Sequence, residues 1–341
     1  MLLACAKSRL AAQDAAADWQ ARFCASLADE VQKLEAKDEY VLAGEDGWLF
    51  FRPELRFLSV RTFWGADAVK VSRAPKQALA DPLPAIVDFS EQLKKRGILL
   101  VLLPVPAKAA IYPDKVSLAL PASHADPAPF LHQFYDELRA KGVDVLDLTT
   151  VFTQERDGEL GAVYCKTDTH WSGAGCVLAA HAIRQELHPL SASLGTGKTY
   201  DAQWSETEIH GDLADLQKDA KTNPLTEKIR IRTVREKPSG AGVEPDPASP
   251  VLLMGDSHTL VFHDFRATNA GLLDQLAAEM GFAPDLIGTM GSGATQVRAQ
   301  LYRRCLKDPS YLGKKKAVVW CFTSRDFTEA SSGWGILPVA K

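Results

Sequence analysis

Three absences bound what this chain of 341 residues can be. It holds no run of the roughly 18 apolar residues that a membrane-crossing helix needs, so no transmembrane segment is expected in the sequence as given. It also holds no extended basic stretch. Lys314, Lys315 and Lys316 are the sole lysine triplet, and with a formal net charge of -4 there is no electrostatic case for a nucleic-acid partner. Its six cysteines, Cys5, Cys24, Cys165, Cys176, Cys305 and Cys321, show neither C-x-x-C spacing nor a zinc-finger pattern, so no structural metal site is expected. Cys305 falls on an expected helix and Cys321 on the strand after it, which leaves a disulfide and two buried thiols both open.

What is present suits a globular protein. With 46% hydrophobic and 24% charged residues, the chain can bury one large core or two small ones. Met1-Leu2-Leu3-Ala4-Cys5-Ala6 has the look of the end of a secretory apolar region or a lipoprotein cleavage site, with the basic segment and most of the apolar stretch missing. It reads equally as the lead into the amphipathic helix Ala11 to Ala36. Residues 1–40 are therefore expected to be a helix, with a signal remnant as one reading of its start.

After Asp46-Gly47, a turn signal before the apolar Trp48 to Phe51, the rhythm becomes helix, strand, helix, strand from Pro82 onwards. Apolar runs at Ile98–Val105, Val143–Leu148, Pro250–Met254, Asp285–Thr289 and Lys316–Thr323 read as strands covered on both faces. Helices are expected at Ile86–Lys95, Phe130–Lys141, Gly173–Glu186, Leu260–Met280 and Gln296–Cys305. This alternation predicts a three-layer α/β/α sandwich with a mostly parallel sheet in residues 41–341. The polar segment 191–249 breaks the pattern and reads as an insertion, with a short strand at Lys228–Lys237.

Two short motifs carry chemistry. Asp168-Thr169-His170-Trp171 precedes a helix with Ser172 as its N-cap, and Gly255-Asp256-Ser257-His258 lies at the carboxyl end of a buried strand. A two-residue spacing lets Asp168 reach the inner nitrogen of His170 and leaves the outer one for a hydroxyl. Ser257 is then the candidate nucleophile, His170 the base and Asp168 its orienter, while Asp256 caps or braces the turn and Trp171 either walls the pocket or, as the better reading, packs in the core. A metal-dependent phosphoesterase built on Asp168, His170, Asp256, His258, His263 and Asp264 is disfavoured, because neither Gly-Asn-His nor Gly-His-x-His occurs.

Taken in order, Gly44 to Phe50, Pro104-Val105-Pro106-Ala107-Lys108 with Tyr112-Pro113, the Asp168 motif, Gly211-Asp212-Leu213, the Ser257 motif and Val318-Val319-Trp320 resemble the AlgX/AlgJ-like polysaccharide O-acetyltransferases of SGNH-hydrolase fold. The resemblance runs from about residue 40 to 328. It accounts for the order of the motifs, since in ordinary SGNH esterases the Gly-Asp-Ser block comes first. It implies a periplasmic enzyme that moves acetyl groups onto hydroxyls of an exopolysaccharide such as alginate through an acetyl-serine, supplied by a membrane-bound O-acyltransferase partner and needing no cofactor. An SGNH-type carbohydrate acetylesterase and a non-catalytic polysaccharide-assembly protein are the alternatives. Gly291 and Gly293 stand where a further oxyanion donor is expected; Arg298 is either a substrate contact or an exposed helical arginine. The chain resembles AlgJ more than AlgX, having no room for a carbohydrate-binding module, and His258 is left without a role. Segment 191–249 is the expected place for polymer recognition.

Overall fold

A computed structural model describes residues 2–120, 123, 125–190, 194, 197–218 and 225–340, with side chains from Gln13 onward. Nine strands are present among them. β1 (Val41–Ala43) and β2 (Leu49–Phe51) form an antiparallel hairpin around the Asp46-Gly47 turn. β3 (Leu99–Val105), β4 (Asp144–Val145), β7 (Val251–Gly255), β8 (Asp285–Gly288) and β9 (Ala317–Thr323) make the central sheet, in the order β4-β3-β9-β7-β8, with every pairing parallel. β5 (Thr199–Ile209) and β6 (Glu227–Lys237) form a separate antiparallel ribbon. With helices flanking the five-stranded sheet, the result is the expected three-layer α/β/α sandwich.

The strands follow from composition. β7 and β9 bury every residue, as central parallel strands must. Pro104 interrupts β3 without penalty, and the ladder shows why. Leu99 N–H and Val105 C=O bond toward β9 while Leu102 C=O accepts from Leu146, so the nitrogen of residue 104 points to the β4 side, where pairing has already ended at Leu102↔Val145. Successive connections run outward in opposite directions, β3 to β4 one way and β7 to β8 the other. The carboxyl ends of β3, β9 and β7 thereby frame the crevice in which open α/β sheets bind ligands.

The N-terminal helix Leu2–Ala36 packs Phe23, Leu27, Val31 and Leu34 into the main core, with Trp19 stacked on Phe23. Met1 and the side chains through Ala12 lie outside the described residues, and the leader reading of Met1–Ala6 falls there. Helices at Pro82–Lys94, Pro129–Ala140, Gly173–Glu186 and Thr295–Lys307 match the sequence expectation closely. The expected Leu260–Met280 helix is corrected. Only Leu272–Met280 is helical, because Gly271 starts a new helix whose Asp274 carboxylate accepts the Gly271 N–H, and the preceding residues 260–270 form a loop. Cys305 and Cys321 are free, buried thiols.

The polar segment is not a detached lid. Ile229, Ile231 and Val234 of β6 are buried, and a Cβ on Gly173 would lie 2.3 Å from Arg230 O, so the ribbon sits directly on helix Gly173–Glu186. Gly195 and Thr196 lie outside the described residues.

Phe63 is the hub of an aromatic cluster, stacked on Phe327 at 5.0 Å and edge-on to Phe134 at 4.8 Å and Phe130 at 6.1 Å. It is fully buried. Truncating it leaves a cavity between three helices, and urea denaturation of Phe63→Ala is expected to show a loss of about 3–5 kcal/mol.

Candidate active site

The serine turn is built by sterics and by one carboxylate. A Cβ on Gly255 would sit 1.7 Å from Cys321 O, so only glycine lets β7 leave the sheet at this height. Asp256 is fully buried and does the bracing expected of it. Its Oδ1 accepts the His258 N–H at 2.9 Å and its Oδ2 the Thr323 N–H at 2.7 Å, which ties the end of β7 to the end of β9. Ser257 then opens a 3₁₀ turn, Ser257–Thr259.

The histidine arrives on a loop held at almost every residue. An antiparallel bridge between Tyr164 and Trp171 closes its ends. Inside it, the Glu227 carboxylate from β6 accepts the N–H groups of Lys166 and Thr167 and the Thr167 hydroxyl. Asp212 accepts the Thr169 N–H at 2.7 Å and its hydroxyl at 2.5 Å. Gly211 must be glycine, since a Cβ there would lie 2.0 Å from Thr167 O. Beneath the loop, the ammonium of Lys108, with no exposure, donates to the carbonyls of Leu49 at 2.8 Å, Cys165 at 2.9 Å, Lys166 at 3.3 Å and Asp168 at 2.7 Å.

These supports bring the three predicted residues together. His170 Nδ1 lies 2.5 Å from Asp168 Oδ1, and His170 Nε2 lies 2.8 Å from Ser257 Oγ. The partners set the tautomer: Nδ1–H donates to the carboxylate and Nε2 accepts the serine hydroxyl. Asp168 also accepts the N–H groups of His170 and Asp212. Burial alone would raise its pKa, but the charge and hydrogen bond of His170 outweigh this and hold the carboxyl well below the usual range. For His170, burial works downward and the Asp168 carboxylate upward, and the carboxylate prevails.

His258 repeats the Asp-x-His arrangement with the opposite outcome. Its Nδ1 is 3.1 Å from Asp256 Oδ1, a longer contact, and burial together with neighbouring positive charge lowers its pKa. It stays neutral and fills the space between His170, at 4.8 Å between centroids, and Trp171, at 5.1 Å. Trp171 packs in the core, as expected.

Two expectations are corrected. Arg298 is not an exposed helical arginine. It is buried beneath Trp320 and Trp334, and its guanidinium donates to Ala294 O, Gly335 O and Thr295 Oγ1. Gly293 cannot offer its N–H to an oxyanion, because it donates to Asp326 Oδ2 at 2.8 Å, beside the Ser292 hydroxyl at 2.9 Å. Burial pushes the Asp326 carboxyl up to about 7. Gly291 lies exposed on the same loop with φ of 91°.

Asp168, His170 and Asp212 carry ligand atoms within 4.8 Å of one another, the spacing of a metal site. The oxygens of Asp168 and Asp212 already accept from five N–H and O–H donors, which fits a proton relay better than a cation. His263 is drawn away to Asp274, at 3.0 Å.

The loop that replaces the expected helix adds two residues that sequence reasoning missed. Phe265 meets the His170 ring edge-on at 5.7 Å, and Arg266 Nε lies 3.3 Å from Asp168 Oδ2.

Comparison with known proteins agrees with this architecture. The family described as the SGNH hydrolase-like domain of acetyltransferase AlgX matches residues 41–320. The chain belongs to this family. A probable alginate O-acetylase AlgJ of Pseudomonas aeruginosa is 30% identical over 305 residues, covering 85% of this chain and 71% of that protein. Its counterpart in Azotobacter vinelandii is 26% identical, covering 88% and 77%. Among solved structures, the O-acetyltransferase domain of Pseudomonas putida AlgJ aligns with a TM-score of 0.62 at 24% identity, covering 84% of this chain and 92% of that domain. Pseudomonas aeruginosa AlgX aligns with a TM-score of 0.55 at 18% identity, covering 86% and 64%. These AlgX-family structures share the fold described here.

Lys108 is the support of this site most open to test. Lys108→Met keeps the volume and removes the donor to four carbonyls, three of them in buried contacts, and urea denaturation should show a loss of about 3–5 kcal/mol.

Proposed function

We propose that this AlgX-family acetyltransferase moves acetyl groups onto hydroxyls of an alginate-like exopolysaccharide through an acetyl-Ser257 intermediate. The observation that carries this reading is the continuous relay from Asp168 through His170 to Ser257, at 2.5 and 2.8 Å, at the carboxyl edge of the sheet. The relatives named as alginate O-acetylases support the substrate class.

In the first half-reaction Ser257 Oγ attacks the donor's acetyl carbonyl while His170 Nε2 takes the hydroxyl proton. The tetrahedral intermediate collapses, the bond from the acetyl carbon to the donor oxygen breaks, and His170 returns its proton to that oxygen. In the second, a sugar hydroxyl attacks the acetyl carbon and gives its proton to His170; Ser257 Oγ leaves and takes that proton. Proton and acetyl group balance over the cycle. Asp168 stays ionised throughout and stabilises the imidazolium. The Ser257 N–H at the head of its turn and the Gly291 N–H on the facing loop serve as oxyanion donors. The acetyl group is supplied by a membrane-bound O-acyltransferase, and the reaction runs in the periplasm; both assignments rest on the family resemblance.

Water in place of sugar gives ester hydrolysis by the same intermediate. The protein should therefore cleave a chromogenic acetyl ester slowly, and Ser257→Ala and His170→Ala should each abolish this; full activity in either variant rules out the relay. Asp168→Asn should cost about 10⁴-fold in kcat, the scale of the equivalent change in a serine protease. His170 must be neutral to accept a proton, so kcat/KM should rise with pH through a value above the ordinary histidine range, since the carboxylate raises its pKa. In Asp168→Asn that limb should move to lower pH, and an unmoved limb would show that another group titrates.

A further inference from the structure

The loop 260–270 has no explanation in the acyl-transfer chemistry itself, and it is expensive to build. Phe262, Arg266 and Asn269 all adopt left-handed backbone, with φ of 63°, 64° and 57°, a conformation that side chains disfavour. Local hydrogen bonds enforce it: Phe262 N–H donates to Phe265 O, Ala270 N–H to Phe262 O, and Asn269 N–H to His263 O, while Asn269 O accepts the Val234 N–H from β6. The product is a fixed loop over the relay that sets Phe265 against His170 and Arg266 against the Asp168 carboxylate.

Arg266 is unusual among the partly buried arginines. Its side chain is 24% exposed, with Nε 3.3 Å from Asp168 Oδ2 and Nη2 4.0 Å from Asp215 Oδ2. Neither contact has hydrogen-bond geometry, and Nε is buried with no acceptor among the described residues. Arg156, at 20% exposed, donates to Ile111 O, Asp114 and Asp157; Arg304, at 38%, donates to Asp285, Leu286 O and Tyr311. A guanidinium this far withdrawn from water ordinarily has its donors filled. Asp168 has no need of it, since its oxygens already accept from His170 and Asp212. Asp215 is largely solvated and is bonded to His210 at 2.6 Å. The fork of donors beside the relay is therefore unspent.

We propose that Arg266 is the acceptor subsite of this enzyme, binding the carboxylate of a uronate residue whose ring hydroxyl is presented to acetyl-Ser257. The inference rests on the acetyl-transfer reading above and adds the group that is recognised. Planar guanidinium matches carboxylate with two parallel hydrogen bonds, which fixes orientation as well as affinity. A uronate ring carries both the carboxylate and the hydroxyls, so holding one places the other. The same fork gives a neutral hexose nothing to grip.

The test separates recognition from chemistry by using Ser257→Ala protein, in which no acetyl group turns over. Calorimetric titration with a mannuronate hexamer should show binding that weakens at least about tenfold when Arg266→Gln is added, and less when Arg266→Lys is added, because lysine keeps the charge and loses the fork. A neutral mannose hexamer should bind weakly and alike in all three proteins. Equal mannuronate affinity with and without Arg266 overturns the proposal, as does an equal loss for both sugars, which would mark Arg266 as a brace for the loop. Arg266→Lys guards against misfolding of the glutamine variant. Ester cleavage, expected to be lost in Ser257→Ala and His170→Ala, is a separate measurement and bears only on the relay.

Discussion

A charged nitrogen with no access to water must find its hydrogen-bond acceptors inside the protein, and Lys108 finds four carbonyls. Three of them belong to the loop from Cys165 to Asp168 and the fourth to Leu49 in the early hairpin. Burial depresses the lysine's pKa, and the nearby Glu54 carboxylate works against that. This single ammonium joins the segment after β3, the hairpin β1–β2 and the loop that carries Asp168. It explains in physical terms why Gly44–Phe50, Pro104–Lys108 and Asp168–Trp171 occur together in one chain. Remove the ammonium, and the backbone under His170 loses its floor.

Above that floor the protein places two Asp-x-His units side by side and tunes them apart. Asp168 meets His170 at 2.5 Å and the imidazole is made more basic; Asp256 meets His258 at 3.1 Å and burial keeps that ring neutral. Only one imidazole is thereby suited to carry a proton. The second carboxylate has other work, since its Oδ2 holds the Thr323 N–H and closes the sheet behind the serine. Two local motifs of similar form thus have different partners: one imidazole faces Ser257, while the other motif's carboxylate ties two strands together.

How much of this was legible in the sequence depends on the range of the interaction. The sheet was readable, because central parallel strands such as Val318–Phe322 bury both faces and so appear as unbroken apolar runs. Asp168, His170 and Ser257 were readable because each motif is local, though nothing in the spacing guarantees that they meet. Lys108 was quoted only as part of a pattern, since a lysine is taken as solvated unless acceptors from distant segments are known. Arg298 went wrong for the same reason: the tryptophans that cover it are 22 and 36 residues away along the chain. Leu260–Phe262 looked like the start of a helix reaching Met280, and only the Gly271 cap with Asp274 shows that two elements are present. Arg266 was hidden inside that error.

The central claim is that Ser257 carries the acetyl group between donor and sugar. Mass spectrometry of the protein after brief exposure to an activated acetyl donor tests it most directly. The account predicts one acetyl group on the peptide containing Ser257, lost on addition of mannuronate oligomers with matching gain of acetyl on the sugar. An adduct on any other residue, or an acetyl-Ser257 that oligomers do not discharge, would contradict it.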